Sequence, residues 1–446
     1  MEHDIIFEPL SFRNLVVKNR IFRSNISGRF DNYDGSGTYA RINWEEKFAR
    51  GGVGAILSSF VPVSIHGRIM PNYATIHSDD RVPFWRELGR RIHEYDCKFI
   101  LQLSHSGHQQ DIGGVENLFR MPLSSTNRTE SLNGFLGRSM SREEIRQTVH
   151  DFVQGARRAR EAGLDGIELH GANGYLITQF LSSAVNDRQD EYGGPVENRA
   201  RFVLEIVREI RRVVGSDFHL QVKMNGIDLG NKVFPWEPQG NTIEDSIKIA
   251  RLLEQAGVDA LHISAGNSFP HPFNPPGTFP MDWAAKTYDI MVTSGIYVFQ
   301  RYLLLRYRPL RPIFAFFWSR NPSPIIEGIN VEAAHEIKRH VAIPVLCTGG
   351  FQTASFIRRI LAEGFCDAVS IARSLVANND LVHMFRAGKN LPDKPCTYCN
   401  KCLVNAIKNP LGCYEVSRFD GDYERMIGEV MSVFAPSPFS SSQQPS

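Results

Sequence analysis

The stretch SREEIRQTVHDFVQGARRAREAGLDGIELH, residues 141–170, holds the unit from which the fold is read. Its first part repeats apolar residues at helical spacing. Ser141 with Glu144 three residues on has the spacing of a capping box, and Gly163 stands where a helix C-cap belongs. DGIELH (165–170) follows directly, a short and largely apolar run of the kind expected for a strand buried on both faces. Helix, glycine, buried strand is one half-turn of a parallel α/β fold.

The same unit recurs outward in both directions. Further strand-like runs are NRIFRSN (19–25), GAILSSFV (54–61), KFILQLSH (98–105), HLQVKMN (219–225), DALHISAG (259–266), IPVLCTGG (343–350) and DAVSIARS (367–374). Helical patterns such as NTIEDSIKIARLLEQAGV (241–258) and TASFIRRILAEGF (353–365) lie between them. Eight strands alternating with helices predict a closed (β/α)8 TIM barrel over residues 1–390, in preference to an open doubly wound sheet of five or six strands. Two regions break the rhythm: a long insertion after strand 6 (267–329), rich in proline, aromatics and arginine, and a Cys-rich extension packed on the barrel (391–430). Residues 431–446 read as a disordered tail. The insertion reads as an aromatic lid or an oligomer contact in preference to a membrane-surface helix.

Composition narrows the function. The chain of 446 residues is 42% hydrophobic and 22% charged, with a net charge of +2, so it has no basic character suited to nucleic acid. Phe299–Trp318 is apolar but carries Arg301, Arg306, Arg308 and Arg311 and two prolines, which disqualifies it as a membrane span. The start, MEHDIIFEPL, lacks a basic n-region and an apolar core, and the expected location is cytoplasmic. A possible homo-oligomer is left open.

In a barrel, polar residues at the carboxyl ends of strands are the candidates for chemistry. Here those ends supply Ser24, Asn25, Ser27, Gln102, His170, Asn173, Tyr175, Lys223, Gly349, Gly350 and Arg373. Gly349 and Gly350 after strand 7 and Arg373 after strand 8 sit where barrels often hold phosphate, through backbone N–H groups and a bidentate guanidinium. The plainer alternative is that the glycines only turn the chain. Neither GxGxxG after the first strand nor GxxxxGK[ST] is present, so no separate nucleotide fingerprint exists.

HGANGYLITQFLSSAVNDRQDEYGGPVENRARF (170–202) resembles the signature of the old yellow enzyme family of FMN-dependent NADH:flavin oxidoreductases. FEPLSFRNLVVKNRIF, GGVGAIL, FILQLSHSG, PVLCTGGF and IARSLVANNDL fall in the family's order, so the resemblance spans about residues 5–415. It implies FMN across the barrel mouth. Gln102 would hold the pyrimidine edge, Lys223 the N1 and C2-oxygen side, and Ser27 the C4 oxygen. Ser24, Asn25 and Ile26 would contact the flavin through backbone, with Gly349, Gly350 and Arg373 on the phosphate. Three positions depart from the family: Lys223 for a frequent arginine, Ser27 for threonine or cysteine, and Phe60 for glycine or alanine at the flavin contact from strand 2. His170 and Asn173 would donate to the oxygen of an enone-type substrate, and Tyr175 would protonate its α-carbon. The run Asn186–Gly194 with Glu197, Asn198 and Arg199 also matches, in a structural role.

The resemblance implies hydride transfer from NAD(P)H to FMN and on to an α,β-unsaturated carbonyl compound. The alternatives are an FMN-dependent isomerase or demethylating dehydrogenase on the same barrel, or a non-enzymatic metal-binding barrel scaffold. Cys396, Cys399, Cys402 and Cys413 form a dense thiolate set of the type that binds iron–sulfur or zinc. The run is similar to that of the 2,4-dienoyl-CoA reductases, where it ligates a [4Fe–4S] cluster, although the last gap here is shorter. A [4Fe–4S] centre, zinc and reduced thiols used in packing all stay open. The larger relatives carry further nucleotide-binding domains, so a cluster here is expected to lack an electron donor within this chain.

Overall fold

The computed structural model describes residues 4–435 apart from 111–120, 131–133, 230–236, 267, 269–270, 273, 295 and 320–324. Eight parallel strands form its centre. They are β1 (Ile21–Arg23), β2 (Ala55–Leu57), β3 (Lys98–Ser104), β4 (Gly166–Gly171), β5 (His219–Asn225), β6 (Ala260–Ser264), β7 (Val345–Thr348) and β8 (Ala368–Ile371). Each pairs with the next, and β8 returns to β1 through Ile371 opposite Arg23, so the barrel is closed.

The helices form where the pattern places them. Arg142–Glu161 begins at Ser141 with the full reciprocal capping box to Glu144, and Gly163 takes the left-handed conformation after its end. Ile243–Gln255 opens on a second capping box, Thr242 with Asp245. Buried apolar faces of these helices and the outward side chains of the strands form one continuous core.

What fills the barrel decides where the site lies. Strand side chains alternate between core and lumen, so each strand sends every second residue inward. A hairpin, Leu10–Ser11 paired with Val16–Val17, closes the amino end, where Leu10, Phe12 and Leu15 pack on Phe22, Ala55, Ile100 and Leu346. One layer up the lumen turns polar: Gln102, Glu168, Gln221, His262 and Ser370 are all buried. Only the carboxyl end stays open.

Three expected boundaries move. The run 54–61 divides, because Leu57 pairs with Ile100 while Val61 pairs with Leu103, one residue more on the second strand than on the third. That bulge takes Ser59 and Phe60 out of the ladder: the Ser58 N–H still donates to Ile100 O at 2.9 Å, while Ser58 Oγ accepts from the Gln102 N–H at 2.8 Å. The run 367–374 ends as a strand at Ile371, and Arg373 starts a one-turn helix, Arg373–Ala377. The chain expected to be tail from 431 stays ordered further: a helix runs Tyr423–Met431 and Phe434 lies beside Phe30, while 436–446 fall outside the described residues.

The extension after residue 390 has its own small core of Tyr414, Phe419, Met426 and Val430, and Cys402 and Leu411 join the barrel's core. Described parts of the insertion form three helices, Met281–Thr287, Ile296–Arg306 and Arg311–Trp318. Among the described residues no helix is long and apolar enough to cross a membrane. The 186–199 segment is held by hydrogen bonds: Asn186 Nδ2 donates to Phe180 O and Tyr192 O, Arg188 forks onto Asp190, and Arg199 reaches Leu181 O and Gly194 O.

Candidate active site

The decisive local feature is the turn after β4. Asn173 and Gly174 take successive left-handed conformations (φ 61° and 82°), and the helix Leu176–Leu181 starts immediately after Tyr175. Glycine accepts this backbone freely and asparagine tolerates it better than most residues. The reversal puts His170, Asn173 and Tyr175 on the wall of one cavity of about 250 Å³ at the barrel's carboxyl end. The His170 and Tyr175 rings meet edge-on, 4.7 Å between centroids.

The residues matched to the flavin line the same cavity, on the strands beside β4 and across the barrel mouth from it. Ser24, Asn25, Ile26 and Ser27 come from the end of β1, Gln102 from β3 and Lys223 from β5. Gly349, Gly350 and Arg373 line the far side. Phe60, released by the bulge, is buried in the same cavity with its ring 4.9 Å from that of Tyr175. It therefore touches the substrate-side tyrosine as well as the flavin side. Ser27 Oγ accepts from the Phe60 N–H at 3.0 Å, which leaves the hydroxyl proton to donate elsewhere. Arg373 donates to Pro276 O and Asn400 Oδ1, both at 2.6 Å, so its guanidinium joins the cavity to the Cys-rich loop. Gly350 is left-handed at φ 71° and its carbonyl accepts from the Tyr398 hydroxyl.

Electrostatics follow from burial. Desolvation, with the Lys223 charge nearby, pushes His170 well below the ordinary imidazole range, so it is a neutral donor at pH 7. Burial lowers Lys223 to about 8, against the pull of Glu168. Its Nζ donates to Asn25 Oδ1 at 3.2 Å. Asn173 Nδ2 makes long contacts to Ser264 Oγ at 3.4 Å and Ala265 O at 3.3 Å, which orient the amide.

Beneath the cavity lies a buried polar group that sits within β4 and not at its end. Glu168 accepts from Gln102 Nε2 at 2.9 Å and from Gln221 Nε2, and pairs with His262 Nδ1 at 2.8 Å. His262 reaches Ser370 Oγ through its other nitrogen at 2.7 Å. Burial acts against the Glu168 carboxylate, but His262, Lys223 and the Gln221 amide outweigh it and hold the group at about 2. The signal was present: Glu168 stands two residues before His170, on the same strand face.

FMN fits this lining. The Gln102 amide spends its N–H on Glu168, and its Oε1 is buried with no hydrogen-bond partner, aimed to accept from a ring N–H. His170 Nδ1 is likewise buried and unsatisfied. A cation in Lys223, an acceptor in Gln102 and a donor in Ser27 suit the polar edge of an isoalloxazine.

The four cysteines line a second, smaller cavity with Arg373 on its border. Tyr398 and Asn400, both left-handed (φ 53° and 57°), coil the loop so that Cys396, Cys399 and Cys402 face it together with Cys413. Burial raises the Cys396, Cys399 and Cys402 thiols, so they stay protonated until a cation displaces the protons. Among the described residues no three His, Cys, Asp or Glu side chains are already drawn into a ligand set, so a metal would have to tighten the loop.

Comparison with known proteins agrees with the geometry. The chain is 32% identical over 424 residues to NADH oxidase of Thermoanaerobacter brockii, covering 92% of this chain and 57% of that protein. It is 36% identical over 269 residues to an NADPH dehydrogenase of Geobacillus sp. (strain WCH70), covering 60% of this chain and 74% of the relative. Among solved structures, a 2-naphthoyl-CoA reductase complex superposes with a TM-score of 0.75 at 22% identity, over 94% of this chain and 58% of that one. The chain thus spans a little over half the length of the NADH oxidase and the naphthoyl-CoA reductase. With residues 5–271 also matching the family's sequence profile, from the floor hairpin through β6, this chain belongs to the NADH:flavin oxidoreductase / NADH oxidase family.

Proposed function

We propose that this protein takes hydride from NAD(P)H and reduces the activated C=C bond of an α,β-unsaturated carbonyl compound. The observation that carries the reading is the β4 turn, which sets two hydrogen-bond donors and a phenol in the cavity, flanked by Gln102 on β3 and Lys223 on β5. FMN, held by Gln102, Lys223, Ser27, the β1 end and the Gly349–Gly350–Arg373 side, supplies the hydride-transferring centre that no side chain can provide. His170 and Asn173 donate to the carbonyl oxygen and stabilise the negative charge that grows there as the β-carbon is reduced. Tyr175 delivers a proton to the α-carbon as general acid. Phe60 packs against Tyr175 and keeps water from that part of the cavity. The relatives' printed names, NADH oxidase and NADPH dehydrogenase, support the nicotinamide donor without choosing between its two forms.

The test is optical and anaerobic. The purified protein is expected to be yellow, to bleach on adding NADH or NADPH, and to regain colour on adding a simple enone. Bleaching without recovery refutes the ene-reductase reading. A colourless protein that takes up no FMN refutes the cofactor site.

Cys396, Cys399, Cys402 and Cys413 are assigned to one iron–sulfur or zinc centre, supported by their shared cavity and by the softness of thiolate donors. Anaerobically prepared protein is expected to contain iron with acid-labile sulfide, or zinc. Cys399→Ser is expected to lose most of that metal while retaining FMN. Protein with neither metal leaves the thiols as packing. All seven cysteines are free, which suits the reducing cytoplasm.

A further inference from the structure

We infer that the insertion after β6 docks the protein on an anionic lipid surface. Between Asp289 and Glu327 the chain has no acidic residue and no lysine, yet it carries arginines at 301, 306, 308, 311 and 320 amid many aromatics. Among the described residues of this segment and the chain just before it, two sides are distinguishable. Phe279 and Trp318 line the active-site cavity, with their rings 4.3 Å apart, and Phe314 stacks on Trp318. On the outer side, Ile296, Phe299, Arg306 and Tyr307 follow helical spacing along Ile296–Arg306 and its end. Pro312, Ile313 and Phe316 do the same on Arg311–Trp318. Ile296 is 59% exposed, Tyr307 58%, Phe316 58% and Ile313 48%, far from the buried state such side chains usually reach.

The lid expected from the sequence accounts for the inner face only. The outer face needs a partner that takes apolar wedges and positive charge together. Arg306 and Arg308, both exposed, lie in the sequence between Phe299 and Ile313 and have no acidic partner among the described residues. Arg311, by contrast, is anchored to Asp282. A second copy of this chain is a poorer occupant, because a two-fold contact gathers the Arg306 and Arg308 charges of both copies on one apolar patch while the exposed acid there, Asp282, is already paired with Arg311. A membrane interface with anionic headgroups accepts both chemistries at once: apolar and aromatic side chains enter the acyl boundary and arginines stay at the phosphates.

Vesicle co-sedimentation of the FMN-loaded protein tests this, independently of turnover. Binding is expected to phosphatidylcholine vesicles containing phosphatidylglycerol, weakened by salt, and much less to phosphatidylcholine alone. Each arginine removed in Arg306→Ala and Arg308→Ala is expected to cost roughly fivefold in affinity. Ile313→Ser with Phe316→Ser is expected to abolish binding, while turnover of a water-soluble enone stays unchanged. Absence of binding to anionic vesicles, or binding indifferent to these substitutions, overturns the proposal. A concentration-dependent dimer in free solution that Ile313→Ser with Phe316→Ser dissociates would also overturn it, assigning the patch to self-association.

Discussion

Replacing His170 and Asn173 together by alanine is expected to lower enone turnover by about 10²–10³-fold or more, the loss that follows removal of oxyanion donors. The two side chains reach the same cavity wall from either end of a single left-handed turn, so neither can be replaced by a neighbour. His170 acts as a neutral imidazole, since burial keeps it from protonating at working pH. Its contribution is a directed N–H and not a charge. Re-oxidation of the NAD(P)H-bleached protein separates this role from general damage. The enone-driven rate should collapse, whereas re-oxidation by dioxygen, which needs no carbonyl donor, should persist. Equal loss of both rates would mean that the double substitution disturbs the cavity itself, and the oxyanion assignment would fail.

Glu168→Ala carries the largest expected effect on stability. The carboxylate is wholly buried and takes hydrogen bonds from Gln102, Gln221 and His262, so its removal leaves three buried polar groups without their acceptor. Breaking one side of such a buried arrangement costs about 3–5 kcal/mol. The pH dependence has a definite sign. The folded-state value of about 2 lies below that of an ordinary glutamate, so the stabilisation is complete above the usual carboxylate range. It drains away as pH falls from there toward 2. Glu168→Gln, which keeps the shape, should therefore flatten the acid limb of a denaturation series while losing less at neutral pH. Urea midpoints of the wild type and both variants between neutral and acid pH measure it. An unchanged acid limb in Glu168→Gln would show that the carboxylate is not the group responsible. The same substitution releases the Gln102 amide, and a weaker hold on FMN is expected alongside.

The sequence legible by periodicity covered the barrel almost completely. Eight buried runs, the Ser141–Glu144 capping box and Gly163 are local features, set by spacing along one segment, and the structure reproduces them. His170, Asn173 and Tyr175 were legible for a related reason, since a strand end followed by a glycine turn is a local pattern. Glu168 was not singled out, although its face was readable, because its importance comes from Gln221 and His262 on two other strands. The contact of Phe60 with Tyr175 was not legible for the same reason: the bulge that releases Phe60 is a mismatch between β2 and β3, invisible in either strand alone. The long insertion is the strongest case. Its composition marked it as unusual, but only the folded chain shows which aromatics close the cavity and which face outward with Arg306 and Arg308. Short-range spacing determines elements and their buried faces, whereas register between strands and the two sides of an insertion depend on contacts between distant segments, which the order of residues along one segment does not contain.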